Sequence, residues 1–200
     1  MLVVFTILSL FLGLAYGLSG LELGLIDWVS NHSDLVLYLL MFTIGISIGM
    51  HDGIIGKIRG YGLKILMIPL GTTVGSVAGG FLCAWILGLP LFPGAAIASG
   101  MGWYSLAGAT ITNLGGAELG SIAFLSNLMR EIFAFLLIPV LAVRCNSAAC
   151  ISAAGATSED TTLPVLLKYT NEETVVISVL HGIICSFFVP ILISFFFQLA

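Results

Sequence analysis

Charge is what this chain most lacks. Of 200 residues only 8% are Asp, Glu, Lys or Arg, where a soluble domain carries about 25%, so an ordinary water-facing surface is excluded. Six basic residues without a basic run exclude a nucleic-acid face, no acidic tail supplies a solvating arm, and the net charge of −4 says little about partners. No Ser/Pro-rich or charge-rich linker interrupts the chain, and 200 residues leave no length for a large soluble domain beside an apolar one. Cysteine is scarce and badly placed for chemistry. Cys83 and Cys185 fall inside apolar stretches and only Cys145 and Cys150 lie near a stretch end. That pattern gives neither a disulfide framework nor a metal spacing, so the four read as small apolar fillers and no metal or cofactor is expected.

What is present is hydrophobic mass. Apolar residues make up 59% of the chain and mean hydropathy is +1.17, which predicts an all-α integral membrane protein with one membrane domain over residues 1–200. At about 20 apolar residues per crossing, five full spans are expected at 2–18, 34–50, 62–87, 117–143 and 174–199. The first lacks the basic leader of a cleaved signal peptide and is kept as a span. Residues 90–113 and 147–167 differ in kind, being apolar enough to enter a membrane yet interrupted by Gly, Pro and polar residues. They read as broken elements, because irregular backbone at membrane depth survives only where protein or a wet cavity surrounds it.

Lys57, Arg59 and Lys64 surround the second connection, while the first carries Glu22, Asp27 and Asp34 and no basic residue. The second connection is therefore expected in the cytoplasm, with the amino terminus beside it. Arg144 and Lys168 join that side only if residues 90–113 re-enter rather than cross. Two re-entrant elements are expected, one from each face, with the carboxyl terminus outside. Opposed broken elements are how inverted-repeat transporters build a midplane site, and Ala95-Ala96-Ile97-Ala98-Ser99-Gly100 faintly matches Ala148-Ala149-Cys150-Ile151-Ser152-Ala153.

Glu131 lies near the middle of the fourth span, where an ionisable group is costly and marks a substrate, ion or proton path. Its neighbour Arg130 offers the plainer alternative of a buried ion pair. Asn127 is one turn earlier on the same face, as a ligand or an interhelical partner. The tip Thr157-Ser158-Glu159-Asp160-Thr161 could hold a cationic group through its acids, or the acids could complement a helix start. Trp103, Tyr104 and Ser105 form the other tip, as site walls or interfacial anchors. His181 reads as a proton relay or a packed, hydrogen-bonded histidine. The half-helix amino termini of the broken elements could hold a carboxylate and Glu131 and Asp160 a cationic group, which together suit a zwitterion with extra positive charge, and the same acids could carry a proton in exchange. A channel fits two broken elements less well, and no paired-aspartate motif supports an intramembrane hydrolase.

Several stretches in order resemble the LysO-type bacterial lysine exporters: Ala98-Ser99-Gly100-Met101-Gly102-Trp103-Tyr104-Ser105-Leu106; Arg130-Glu131 with Ile138-Pro139; Gly155-Ala156-Thr157-Ser158-Glu159-Asp160-Thr161-Thr162-Leu163-Pro164; and His181-Gly182 with Pro190-Ile191-Leu192-Ile193. The resemblance runs from the first span to the last. It implies outward transport of L-lysine or a related cationic amino acid against protons, with the acid of Glu131 involved, in a bacterial or archaeal cell (inner) membrane. Members of that family look longer by an amino-terminal block of about three spans, so the resemblance also implies either a homo-oligomer or a small separate membrane subunit supplying the missing spans. Another secondary transporter, such as an ion/proton antiporter or an organic anion carrier, is the alternative.

Overall fold

The computed structural model describes residues 2–19 and 66–200, with isolated positions 24, 28, 32, 35, 39, 42 and 46 between them. The expected span 34–50 therefore lies outside the described residues apart from four of those positions, and the basic connection of Lys57, Arg59 and Lys64 lies outside them entirely. Two compact units are formed, residues 1–50 and 51–200. The first contains α1 (Leu2–Ser19), 18 residues with no charged side chain and about 27 Å long at 1.5 Å per residue.

The second unit begins with α2 (Met67–Leu87). It stops because Gly88 takes the left-handed conformation (φ 66°) and returns its N–H to the carbonyls of Ala84 and Trp85, after which Pro90 cannot continue the helix. Next come α3 (Leu91–Ala98) and α4 (Tyr104–Arg144), the latter broken at Gly116 (φ 88°, ψ 170°). That break reverses the chain. Thr112 touches Gly120, a Cβ on Gly108 would stand 2.9 Å from Phe124 Cβ, and the Tyr104 ring meets Phe124 edge-on at 5.3 Å between centroids. Arms 104–115 and 117–144 are thus antiparallel neighbours. After α4 follow α5 (Ser147–Ala154), a 3-10 turn (Gly155–Glu159), α6 (Leu163–Tyr169) and α7 (Glu172–Gln198). Asn146 and Asn171 cap α5 and α7 by accepting from Ala149 N–H and Thr174 N–H, each at 2.9 Å.

Both broken elements turn back on themselves. In residues 91–115, Phe92 packs on Phe81 and Phe81 on Phe196, at centroid distances of 6.0 and 5.6 Å, while a Cβ on Gly115 would lie 2.7 Å from the Phe197 ring. Phe196 and Phe197 are chain neighbours, so the entry and exit of this hairpin lie at the same end of α7. In residues 147–169, Cys150 and Ala154 of α5 pack with Ile138 and Ala134 of α4, and Leu166 of α6 closes the same core. That hairpin starts at the opposite end of arm 117–144.

Among the described residues three helices are long and apolar enough to cross a membrane, Met67–Leu87, Tyr104–Arg144 and Thr174–Gln198. In Tyr104–Arg144 the crossing portion is arm 117–144, since arm 104–115 is only about 18 Å long against a hydrocarbon core of about 30 Å. These helices fall where the sequence places the spans 62–87, 117–143 and 174–199. The order is a helix followed by a hairpin, then a helix followed by a hairpin running the opposite way, then α7.

Candidate functional site

The tips of the two hairpins meet inside the protein. Ala156 N–H donates to the Met101 carbonyl at 2.9 Å, joining the 3-10 turn of the second hairpin to the bend of the first. Two backbone features permit this. Met101 is fully buried with φ 48°, the left-handed value rarely adopted by side-chain-bearing residues. Gly155 has φ 66°, and a Cβ there would run into the same Met101 carbonyl, so only glycine fits.

Polar side chains from three helices hold the tips. Asn127 Nδ2 donates to the carbonyls of Ile97 and Ala123, each at 2.9 Å, and its Oδ1 accepts from Gly102 N–H at 2.9 Å. Both amide donors are used, so Asn127 acts as the interhelical partner of the first tip. His181 stands between Thr72 Oγ1, 3.0 Å from Nε2, and Ser158 Oγ, 2.9 Å from Nδ1. Ser158 gives its single hydroxyl proton to Ser178 O at 2.9 Å, so it accepts from His181 Nδ1–H. Nε2 then accepts from Thr72, which assigns the neutral Nδ1–H tautomer. Thr157 Oγ1 donates to Ala154 O at 2.9 Å, and Thr157 O accepts from Thr162 Oγ1 at 2.8 Å.

The acids gather beside the second tip. Glu131 is only 3% exposed and faces Thr161 and Asp160. Thr161 Oγ1 is itself buried with no hydrogen-bond partner within 3.5 Å, so it stands near the Glu131 carboxyl without bonding it. Asp160 is exposed and accepts from Thr161 N–H. Glu159, half-buried on the turn between the spanning helices, accepts from Ser186 Oγ at 2.9 Å. Burial pushes its carboxyl up to about 7; the Ser186 hydroxyl opposes that shift and Asp160 adds to it.

Arg130 lies on another side of the tip, as successive helical residues point about 100° apart. Its Nη1 donates to Ser76 Oγ at 2.8 Å, and Nη2 would be 3.2 Å from a Cβ on Gly155. Among the described residues no ion pair joins it to Glu131. Tyr104 packs on Phe124, Trp103 precedes the arm 104–115, and Ser105 is exposed. The sequence reading missed Thr72, Ser76, Ser178 and Ser186. Thr72 and Ser76 carried a signal, two hydroxyls at i and i+4 on one face of an apolar helix; Ser178 and Ser186 carried none.

A buried acid with two more acids on the adjoining turn, a half-buried arginine and opposed hairpin tips amid apolar helices make an arrangement suited to passing a charged solute. The family model described as lysine exporter LysO matches residues 7–197. Lysine exporter LysO of Escherichia coli (strain K12) is 40% identical over 185 residues, which is 92% of this chain and 60% of that protein. The chain thus spans less than two thirds of that relative's length. A putative lysine exporter of Haemophilus influenzae is 38% identical over 173 residues, covering 85% of this chain and 88% of that protein. No solved structure matches the chain significantly.

Proposed function

We propose, from the premise that the chain belongs to the lysine exporter LysO family, that it moves L-lysine or a related cationic amino acid out of the cell in exchange for protons. The observation that carries this reading is a carboxyl at 3% exposure, Glu131, set beside Thr161 and Asp160 where the two hairpin tips meet. A buried acid is costly without a function, and an ammonium group is the ligand whose charge and three N–H donors suit carboxylates and a hydroxyl. In this reading Glu131 and Asp160 receive the substrate's side-chain ammonium, and Thr161 Oγ1 accepts one of its protons. Glu159, with its carboxyl pushed up to about 7, exchanges a proton near neutral pH.

Alternating access follows from the opposed hairpins, each gating the midpoint from its own end. The amino terminus is cytoplasmic, as the basic second connection requires. The protein works in the bacterial or archaeal inner membrane as one transport domain, either as a homo-oligomer or with a small membrane subunit that supplies further spans. The test is radiolabelled lysine flux in proteoliposomes with and without a pH gradient. Flux that rises with an opposing proton gradient supports exchange; flux indifferent to it removes the proton, and lysine retained equally by empty and protein-bearing vesicles removes the substrate assignment.

A further inference from the structure

Arg130 is not used by the ammonium side of the site. A guanidinium carries five N–H donors in a planar fork, and the bond described for this one goes to a neutral hydroxyl, Ser76 Oγ, at 2.8 Å. The same guanidinium lines a cavity of about 390 Å³, walled by Gly71, Thr72, Gly75, Ser76, Arg130 and Ser152. All six belong to α2, α4 and α5. Arg130, Ser76 and Ser152 offer N–H or O–H donors, the Thr72 hydroxyl being given to His181, and no acidic residue is among the described residues of the wall. At Gly71 and Gly75 a Cβ would meet no atom of the described residues within 4 Å, so the wall there is backbone.

A positive fork, hydroxyls and close backbone converging on one cavity in an apolar protein are the chemistry of an anion subsite, and a planar two-oxygen acceptor matches the fork best. We propose that Arg130, with Ser76 and Ser152, binds the α-carboxylate of the transported amino acid. This rests on the reading of the chain as an amino-acid exporter and assigns the end of the substrate that Glu131 and Asp160 do not hold. Arg130 and Glu131 are consecutive but diverge by about 100° around the helix, so a zwitterion with a cationic side chain is gripped at both ends across one turn of α4. The specificity that results is for amino acids over diamines: removing the carboxylate leaves a desolvated guanidinium without its acceptor.

The test is competition for radiolabelled L-lysine binding to the purified full chain by L-lysine, L-lysinamide and 1,5-diaminopentane. Lysinamide and diaminopentane keep the side-chain ammonium but lack the carboxylate. Wild-type protein is expected to bind them roughly ten- to a hundredfold more weakly than lysine, the range for loss of a charge-assisted contact. In Arg130→Gln the preference collapses toward one, and Arg130→Lys, which keeps charge but not the fork, falls between. Ser76→Ala, a milder change should Arg130→Gln fail to fold, lowers the preference severalfold while lysinamide binding stays as in wild type. If wild type binds lysinamide as tightly as lysine, or if Ser76→Ala and a folded Arg130→Gln both keep the full preference, the carboxylate subsite is elsewhere while the exporter reading stands. Absence of lysine binding altogether overturns the exporter reading and this inference with it.

Discussion

The main-chain N–H of Ala156 donates to the carbonyl of Met101 at 2.9 Å, and this single bond ties together two hairpins that enter from opposite ends of the helices around them. The bond is possible because Gly155 places no Cβ against the same carbonyl. The junction sits beside Arg130 and one residue short of Thr157, at the head of the acidic turn. Any movement that opens one side of the site must rearrange it.

Gly155→Ala is therefore expected to be one of the most damaging small substitutions in the chain. A left-handed alanine costs about 1–2 kcal/mol, and its methyl must displace Met101 O. The expected outcome is a melting temperature lowered by several degrees and no measurable flux. Wild-type melting and flux would show that the hairpin tips are not fixed by this contact.

Asn127→Ala removes three hydrogen bonds and leaves Gly102 N–H buried without its acceptor, while Ile97 O keeps only the Gly100 N–H at 3.2 Å. About 1–3 kcal/mol is expected for the donor left unsatisfied. Thermal melting in detergent checks this. Asn127→Asp should be no better, because a carboxylate cannot donate to the two carbonyls, and a stable Asn127→Asp protein would count against the clamp.

Glu131→Gln keeps size and removes charge. Lysine flux is expected to be abolished with the protein still folded and inserted, and Glu131→Asp should retain part of it. Normal flux in a well-expressed Glu131→Gln variant would move the ammonium site to Asp160.

Glu159 predicts a pH dependence of stability. Its carboxyl is raised from an ordinary 4.5 to about 7 in the folded protein, so between those values the folded state holds a proton that the unfolded chain releases. Stability should fall as pH rises through that window, by the linkage between bound protons and folding. Glu159→Gln should flatten this part of a melting-temperature-against-pH curve, whereas Ser186→Ala, which removes a hydrogen bond to the carboxylate, should extend it to higher pH. Superimposable curves for wild type and Glu159→Gln would rule out the shift.

Cysteines placed at Gly116 and Arg144, in a cysteine-depleted background, should label with an impermeant thiol reagent from opposite sides of the membrane. They mark the two ends of arm 117–144, and from the charge of the connections Gly116 is expected to label from outside. Labelling of both from one side would mean that this arm does not cross.

Composition alone determined the class of this protein, because a chain with 8% charged residues has no means of covering itself with water-facing surface. The two broken stretches were also legible, since Gly, Ala and polar tips inside apolar sequence mark backbone that must be sheltered, and Glu131 stood out through the cost of its charge. What the sequence left open was the use of each polar group. Asn127, Thr157, Ser158 and His181 looked equally suited to ligand or partner, and the fold commits all four to internal hydrogen bonds. Ser76 and Ser186 are hydroxyls of apolar helices whose partners, Arg130 and Glu159, no spacing in the sequence points to. The reason is separation along the chain. Ser76 and Arg130 are 54 residues apart and Ser186 and Glu159 are 27 apart, so no helical period relates them, and only two hairpins closing from opposite ends bring these groups to one place.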